Sequence, residues 1–132
     1  MKFPYARIGG YSMPVIPVKL CRGDLCIVTE ALIDSGAAGS ILDAELAGLL
    51  GIHALDEDGI EMVFEGVSGH TLVGYSHEVT IDVGGHRFAQ VPIAFSREMP
   101  DNAVNILGQE GFFNLFAITF TYKKREIELR LG

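Results

Sequence analysis

The sequence predicts a mostly β fold, a small closed or nearly closed β-barrel with one or two short helices. Three observations predict it. Runs of β-branched and apolar residues alternate with polar ones, turn-forming dipeptides separate those runs, and only one longer stretch carries helical spacing. At 132 residues, 48% hydrophobic and 20% charged, with no low-complexity tract, the chain suits a single globular domain over residues 1–132 and not a disordered or collagen-like polymer.

Residues 1–13 are broken by Pro4, Gly9 and Gly10 and read as an N-terminal extension, a segment available to a dimer interface. Val15, Ile16, Val18 and Leu20 then lead into the turn Arg22-Gly23-Asp24, and Leu25 to Ile33 returns as an apolar run, so the pair reads as a hairpin. Ser40-Ile41-Leu42-Asp43 resembles a capping box. Ile41, Leu42, Leu46, Leu49 and Leu50 follow at helical spacing, with Gly51 suited to the left-handed residue that closes a helix. Ile60 to Phe64 and Thr71 to Val73 flank Gly66-Val67-Ser68-Gly69, a long hairpin with a glycine-bounded tip. Val79, Ile81 and Val83 alternate with polar residues before the primed turn Gly84-Gly85, and Phe88 to Phe95 returns, with Pro92 marking an edge or a bulge. Val104 to Leu107 reads as a short buried strand and Gln109 to Leu115 as a short helical piece. Ala117 to Tyr122 and Glu126 to Leu131 close the chain as strands, and Phe95, Phe112, Phe113, Phe116 and Phe120 read as core or dimer-contact aromatics, with core favoured.

A net charge of −7 repels phosphate backbones, which argues against a nucleic-acid partner. Every apolar stretch is interrupted well short of the ~20 residues that span a bilayer. The first residues lack the continuous apolar region of a secretory leader, so the expected location is the cytoplasm. Cys21 and Cys26 lack the third and fourth ligands of a zinc site; they read by default as two small hydrophobes of a reduced protein, a cross-strand disulfide being geometrically conceivable. His53, His70, His77 and His86 are scattered without metal-ligand spacing and read as surface or turn residues, so neither a metal nor a cofactor is expected.

The informative tetrapeptide is Asp34-Ser35-Gly36-Ala37. It places a carboxylate at the end of an apolar strand, followed by a hydroxyl residue and a glycine that lets the chain turn sharply. A solvent-facing aspartate in a strand-to-helix turn, with Ser35 or Ser40 capping the helix, has the same local signature. Two further segments sit where a catalytic reading needs them: Asn105-Ile106-Leu107-Gly108, and the tip Gly66 to Gly69 between the two.

With these motifs in this order, the chain resembles the retropepsin-like aspartic proteases, single-domain relatives of retroviral protease, over roughly residues 14–131. The resemblance implies an acid-protease β-barrel with Asp34 as the catalytic carboxylate. Ser35 is implied to lock two active-site loops together across a dimer, Gly36 to permit the turn, and Ala37 to match the family's small residue. Gly66, Val67, Ser68 and Gly69 are implied to form a substrate-covering flap, and Ile106, Leu107 and Gly108 to buttress the catalytic loop. The helix after Asp34 is longer than in retroviral enzymes, and the flap tip carries fewer glycines.

This chemistry needs two carboxylates and the chain has one suitable motif, so an active enzyme of this kind is a homodimer. The function expected from the resemblance is an aspartic endopeptidase acting on extended peptide segments, without metal or covalent intermediate. The alternative is a catalytically inactive retropepsin-like dimer that binds peptide or supports an assembly.

Overall fold

The computed structural model describes residues 1–66 and 68–132 and is mostly β. Its largest sheet has seven strands: β4 (Val15–Arg22), β5 (Leu25–Ile33), β6 (Ile41–Asp43), β7 (Ile60–Glu65), β8 (Thr71–Val83), β9 (His86–Ser96) and β10 (Asn105–Leu107). Their spatial order is β4-β5-β10-β6-β9-β8-β7, and an additional pairing joins β4 back to β8. That pairing, Lys19 with Asp82, Leu20 with Ile81 and Cys21 with Thr80, makes a ring of six strands from which β7 projects. The expected barrel is therefore present. Its core contains Ile16, Val18, Leu20, Leu42, Ile81, Ile93, Phe95, Leu107 and Phe112.

Strand patterning follows burial. In β4, Val15, Ile16, Val18, Leu20 and Cys21 are buried while Pro17, Lys19 and Arg22 face outward. Pro17 lacks an N–H, and it lies outside the Lys19–Cys21 stretch that pairs with β8, where the ladder makes no demand on it. Glycines 84 and 85, at φ +58° and +88°, form the primed turn between β8 and β9. Near Pro92 the register slips between Val79 and Ile81, and Gln90 adopts φ +57°, so the expected bulge is there.

Several local expectations are corrected. The helix α1 (Ala44–Leu49) starts later than the periodicity suggests, because Ile41–Asp43 pairs as β6; Asp43 caps it by accepting from Glu45 N–H at 2.9 Å. Ser40 is not the cap. Residues Gln109 to Leu115 form wide turns and not a helix: Phe113 N–H reaches Gly108 O and Asn114 N–H reaches Gln109 O, with Gly111 at φ +94°. Of the five phenylalanines read as core or dimer-contact aromatics, Phe95, Phe112 and Phe116 are buried, Phe113 is half-buried, and Phe120 is exposed and so not a core residue. His77, expected at the surface, is buried in the inward phase of β8, its Nε2 2.7 Å from Leu55 O. Cys21 and Cys26 are disulfide-bonded, because the two-residue turn at Gly23-Asp24 sets them directly opposite with Cα atoms 4.1 Å apart.

Residues 1–13 pair within the chain. A three-stranded sheet has β1 (Lys2–Pro4) and β11 (Ala117–Thr121) on either side of β12 (Glu126–Arg130), and β2 (Ala6–Ile8) pairs with β3 (Tyr11–Met13). Among the described residues no helix is long and apolar enough to cross a membrane.

Candidate active site

Strand β5 delivers Asp34. Ile33 pairs with Leu107 in the parallel β5–β10 ladder, and the next residue continues it, Asp34 N–H donating to Leu107 O at 2.9 Å. The chain then turns sharply. Gly36 N–H donates to Asp34 Oδ1 at 2.9 Å and Ala37 N–H to Asp34 O at 3.2 Å. The carboxylate is thus oriented by its own loop, an arrangement short polar side chains favour in turns. A Cβ at position 36 would stand 3.2 Å from Asp34 Oδ1, so glycine keeps the approach open. Asp34 is half-buried, while Ser35 and Gly36 are exposed at the lip.

The loop is laced to the segment after β10. Gln109 N–H donates to Ala37 O at 2.8 Å and Glu110 N–H to Ala38 O at 3.0 Å, while Gln109 Nε2 donates to Ser35 O at 2.7 Å. Ser40, buried at 2% exposure, closes the base: its hydroxyl donates to Glu110 O and accepts from Gly108 N–H, both at 3.0 Å. Gly108 is the point of closest approach. A Cβ there would lie 2.3 Å from Gly39 O and 2.7 Å from Ala37 O, closer than any side chain tolerates.

The structure therefore brings Asp34, Ser35, Gly36, Ala37, Leu107 and Gly108 into one cluster. Ile106 lies beside it, paired with Leu32 on one side and Ile41 on the other. Gly66, Ser68 and Gly69 occupy the tip of the β7–β8 hairpin, where Gly66 N–H donates to His70 O and Gly69 N–H to Gly66 O; Val67 lies outside the described residues. The hairpin's arm reaches the loop: a Cβ at Gly39 would meet the Phe64 ring at 3.2 Å and Met62 Cε at 3.9 Å. Ser40 and Gln109 join this cluster without being among the residues the sequence singles out. Ser40 carries a usable signal, a lone hydroxyl between small and apolar neighbours, but Gln109 carries none.

A cavity of about 370 Å³ lies elsewhere, lined by Arg22, Asp58, Ile60, Ser76, His77, Glu78 and Pro92 at the root of β7. Among the described residues no group of three or more His, Cys, Asp or Glu is placed to hold a metal ion.

The family model described as aspartyl protease matches residues 16–110, a stretch that spans both the Asp34 loop and Ile106–Gly108. Among solved structures the chain is similar to a retropepsin-like aspartic protease from Rickettsia conorii, with a TM-score of 0.68 and 14% identity over 98% of this chain and 89% of that one. It is also similar to EIAV protease complexed with the inhibitor HBY-793, with a TM-score of 0.53 and 22% identity over 79% of this chain and 88% of that one. At these identities the likeness is one of fold. No curated protein matches the chain.

Proposed function

Because the chain belongs to the aspartyl protease family, we propose that it is a homodimeric aspartic endopeptidase in which each protomer contributes one Asp34. The observation that carries the reading is the Asp34 carboxylate, held by the Gly36 N–H at the exposed lip of a loop that is laced to Gly108 and Gln109. Such lacing supports a preorganised acid, whereas a plain strand-to-helix turn would leave Ser35 or Ser40 capping the helix; here the residue that caps α1 is Asp43.

A two-fold axis passing beside Ser35 would bring two Asp34 side chains together, and like charges at that distance cannot both ionise readily, so the pair shares one proton. The ionised carboxylate removes a proton from a bound water as the water oxygen adds to the scissile carbonyl carbon. The protonated carboxyl gives its proton to the carbonyl oxygen. Collapse then breaks the C–N bond: the carboxyl that took the water's proton passes it to the leaving nitrogen, and the other carboxylate takes a proton from the diol as its C=O re-forms, which restores the shared-proton pair. The β7–β8 hairpin serves as the flap, and an extended peptide lies beneath it as an added strand, main chain bonded and alternate side chains in pockets. In this reading residues 1–132 form a single domain, Ser35 meets its counterpart across the axis, and the segment 1–13 contributes to the dimer contact.

The test is digestion of a peptide library by the purified protein and by Asp34→Asn, with mass readout and sizing in parallel. Cleavage by a dimeric wild type and none by a folded, dimeric Asp34→Asn is the expected result. A well-folded dimer that binds peptide without cutting would replace the enzyme reading with a peptide-binding module. A monomer unable to cleave would overturn both.

A further inference from the structure

The β7–β8 hairpin outruns the sheet that supports it. Strand β8 pairs with β9 from Val83 to Tyr75, where Tyr75 stands opposite Phe95, and β9 ends at Ser96 as the chain turns away. From Gly74 to Thr71 the main-chain partner of β8 is β7 alone, paired Met62 with Gly74, Val63 with Val73, Phe64 with Leu72 and Glu65 with Thr71. A two-stranded ribbon of this kind is marginally stable by itself.

Two side chains reach back across the gap. Val73 N–H donates to Glu98 Oε1 at 2.9 Å, and the Ser96 hydroxyl donates to Val73 O at 2.6 Å. Glu98 N–H in turn donates to Ser96 Oγ at 3.1 Å, which closes a ring of three hydrogen bonds around one residue of the hairpin. Both main-chain groups of Val73 are thereby engaged on the side that β9 has vacated, and side chains substitute for the missing ladder step. Ser96 is fully buried, so its hydroxyl has no competing water, while Glu98 is exposed and reaches Val73 from the surface. Next to it, Gly74 lets β8 pack tightly on the sheet: a Cβ there would lie 3.3 Å from Phe95 O and 3.4 Å from Ala94 Cβ.

We propose that Ser96 and Glu98 are positioning residues that clasp Val73 and fix the root of the flap, setting the angle at which it descends on substrate; the substrate part rests on the protease reading above. The clasp sits where the ribbon leaves the barrel, so a small loss there is levered along Val63, Phe64 and the tip. Its acceptor at Glu98 is one oxygen, which makes the conservative variant informative. Glu98→Gln keeps a carbonyl oxygen for the Val73 N–H, whereas Glu98→Ala removes it.

Amide hydrogen exchange of the whole protein tests the clasp, whatever the activity. In Glu98→Ala the Val73 amide should exchange up to about ten-fold faster, the size expected for one ordinary hydrogen bond. The Ile81 amide, deep in the barrel, should be unchanged, and Glu98→Gln should stay within about two-fold of wild type. Ser96→Ala should reproduce the Glu98→Ala effect. Unchanged Val73 exchange in both alanine variants, or a Gln variant as fast as Ala, would overturn the clasp. Peptide cleavage then reads its purpose: Glu98→Ala should raise KM about five-fold with kcat within about two-fold, restored by Glu98→Gln. Equal KM values despite faster Val73 exchange would overturn the positioning role. Absence of cleavage by the wild type would overturn the protease reading instead, with the exchange comparison still deciding the clasp.

Discussion

Gln109 holds Ser35 by its main chain: the side-chain amide of the former donates to the carbonyl oxygen of the latter at 2.7 Å, beside the residue that carries the proposed catalytic carboxylate. Both residues are exposed, so the bond does little for the barrel and much for the shape of the loop. Replacing Gln109 with Ala should leave the melting temperature nearly unchanged and lower kcat/KM by about three- to ten-fold, the range of one ordinary hydrogen bond. Thermal unfolding and steady-state kinetics of the variant check it together. A fall in stability with unchanged kinetics would reverse the assignment.

Ser40 bridges Gly108 N–H and Glu110 O from a buried position. Ser40→Ala removes both hydrogen bonds of the bridge at once and strands the buried Gly108 amide, which should destabilise the fold by about 1–3 kcal/mol. Urea unfolding measures this. Because the lost bonds lie under Gly39 and Gly108, activity should fall as well, in contrast to a surface variant such as Lys124→Ala.

The Cys21–Cys26 disulfide closes a short loop across adjacent strands already joined by a tight turn. Chain entropy for so small a loop gives a stabilisation of about 2 kcal/mol. Reduction should therefore lower the denaturant midpoint without abolishing cooperative unfolding, since Cys21 stays buried in the core whether bonded or not. Identical midpoints with and without a thiol reductant would show that the loop is restrained equally well by its turn.

Tyr5 ties the first strands to the closing hairpin. Its N–H donates to Arg125 O at 2.9 Å and its ring meets Tyr122 edge-on at 5.7 Å. Burial raises its phenol above the ordinary tyrosine value, Tyr122 adds to the rise, and Arg125 opposes it without prevailing. The folded state then holds this proton more tightly than the unfolded chain does. Stability is thus complete below the usual tyrosine value of about 10 and declines as pH rises through the folded one. Denaturant midpoints measured across that range should fall more steeply for wild type than for Tyr5→Phe.

What the sequence by itself determined was whatever depends on near neighbours. Gly84-Gly85 and Arg22-Gly23-Asp24 specify their hairpins because turn chemistry acts over two to four residues, and Val15 to Leu20 states its buried face through a period of two. The turn that presents Asp34 is equally local, made by Gly36 and Ala37. Other features awaited the tertiary structure. Gln109 to Leu115 looks helical in isolation, yet Phe112 must enter the core and Gly111 bends at φ +94° to allow it, so long-range packing overrides local spacing. Ser40 reads as a cap until the chain brings Gly108 and Glu110 to its hydroxyl, 68 and 70 residues away in sequence. The β4–β8 pairing that completes the ring, and the return of β1 to β12, likewise join segments far apart in the chain. No local pattern encodes such contacts, because their free energy is gained only when the whole core assembles and the partners of each buried polar group arrive together.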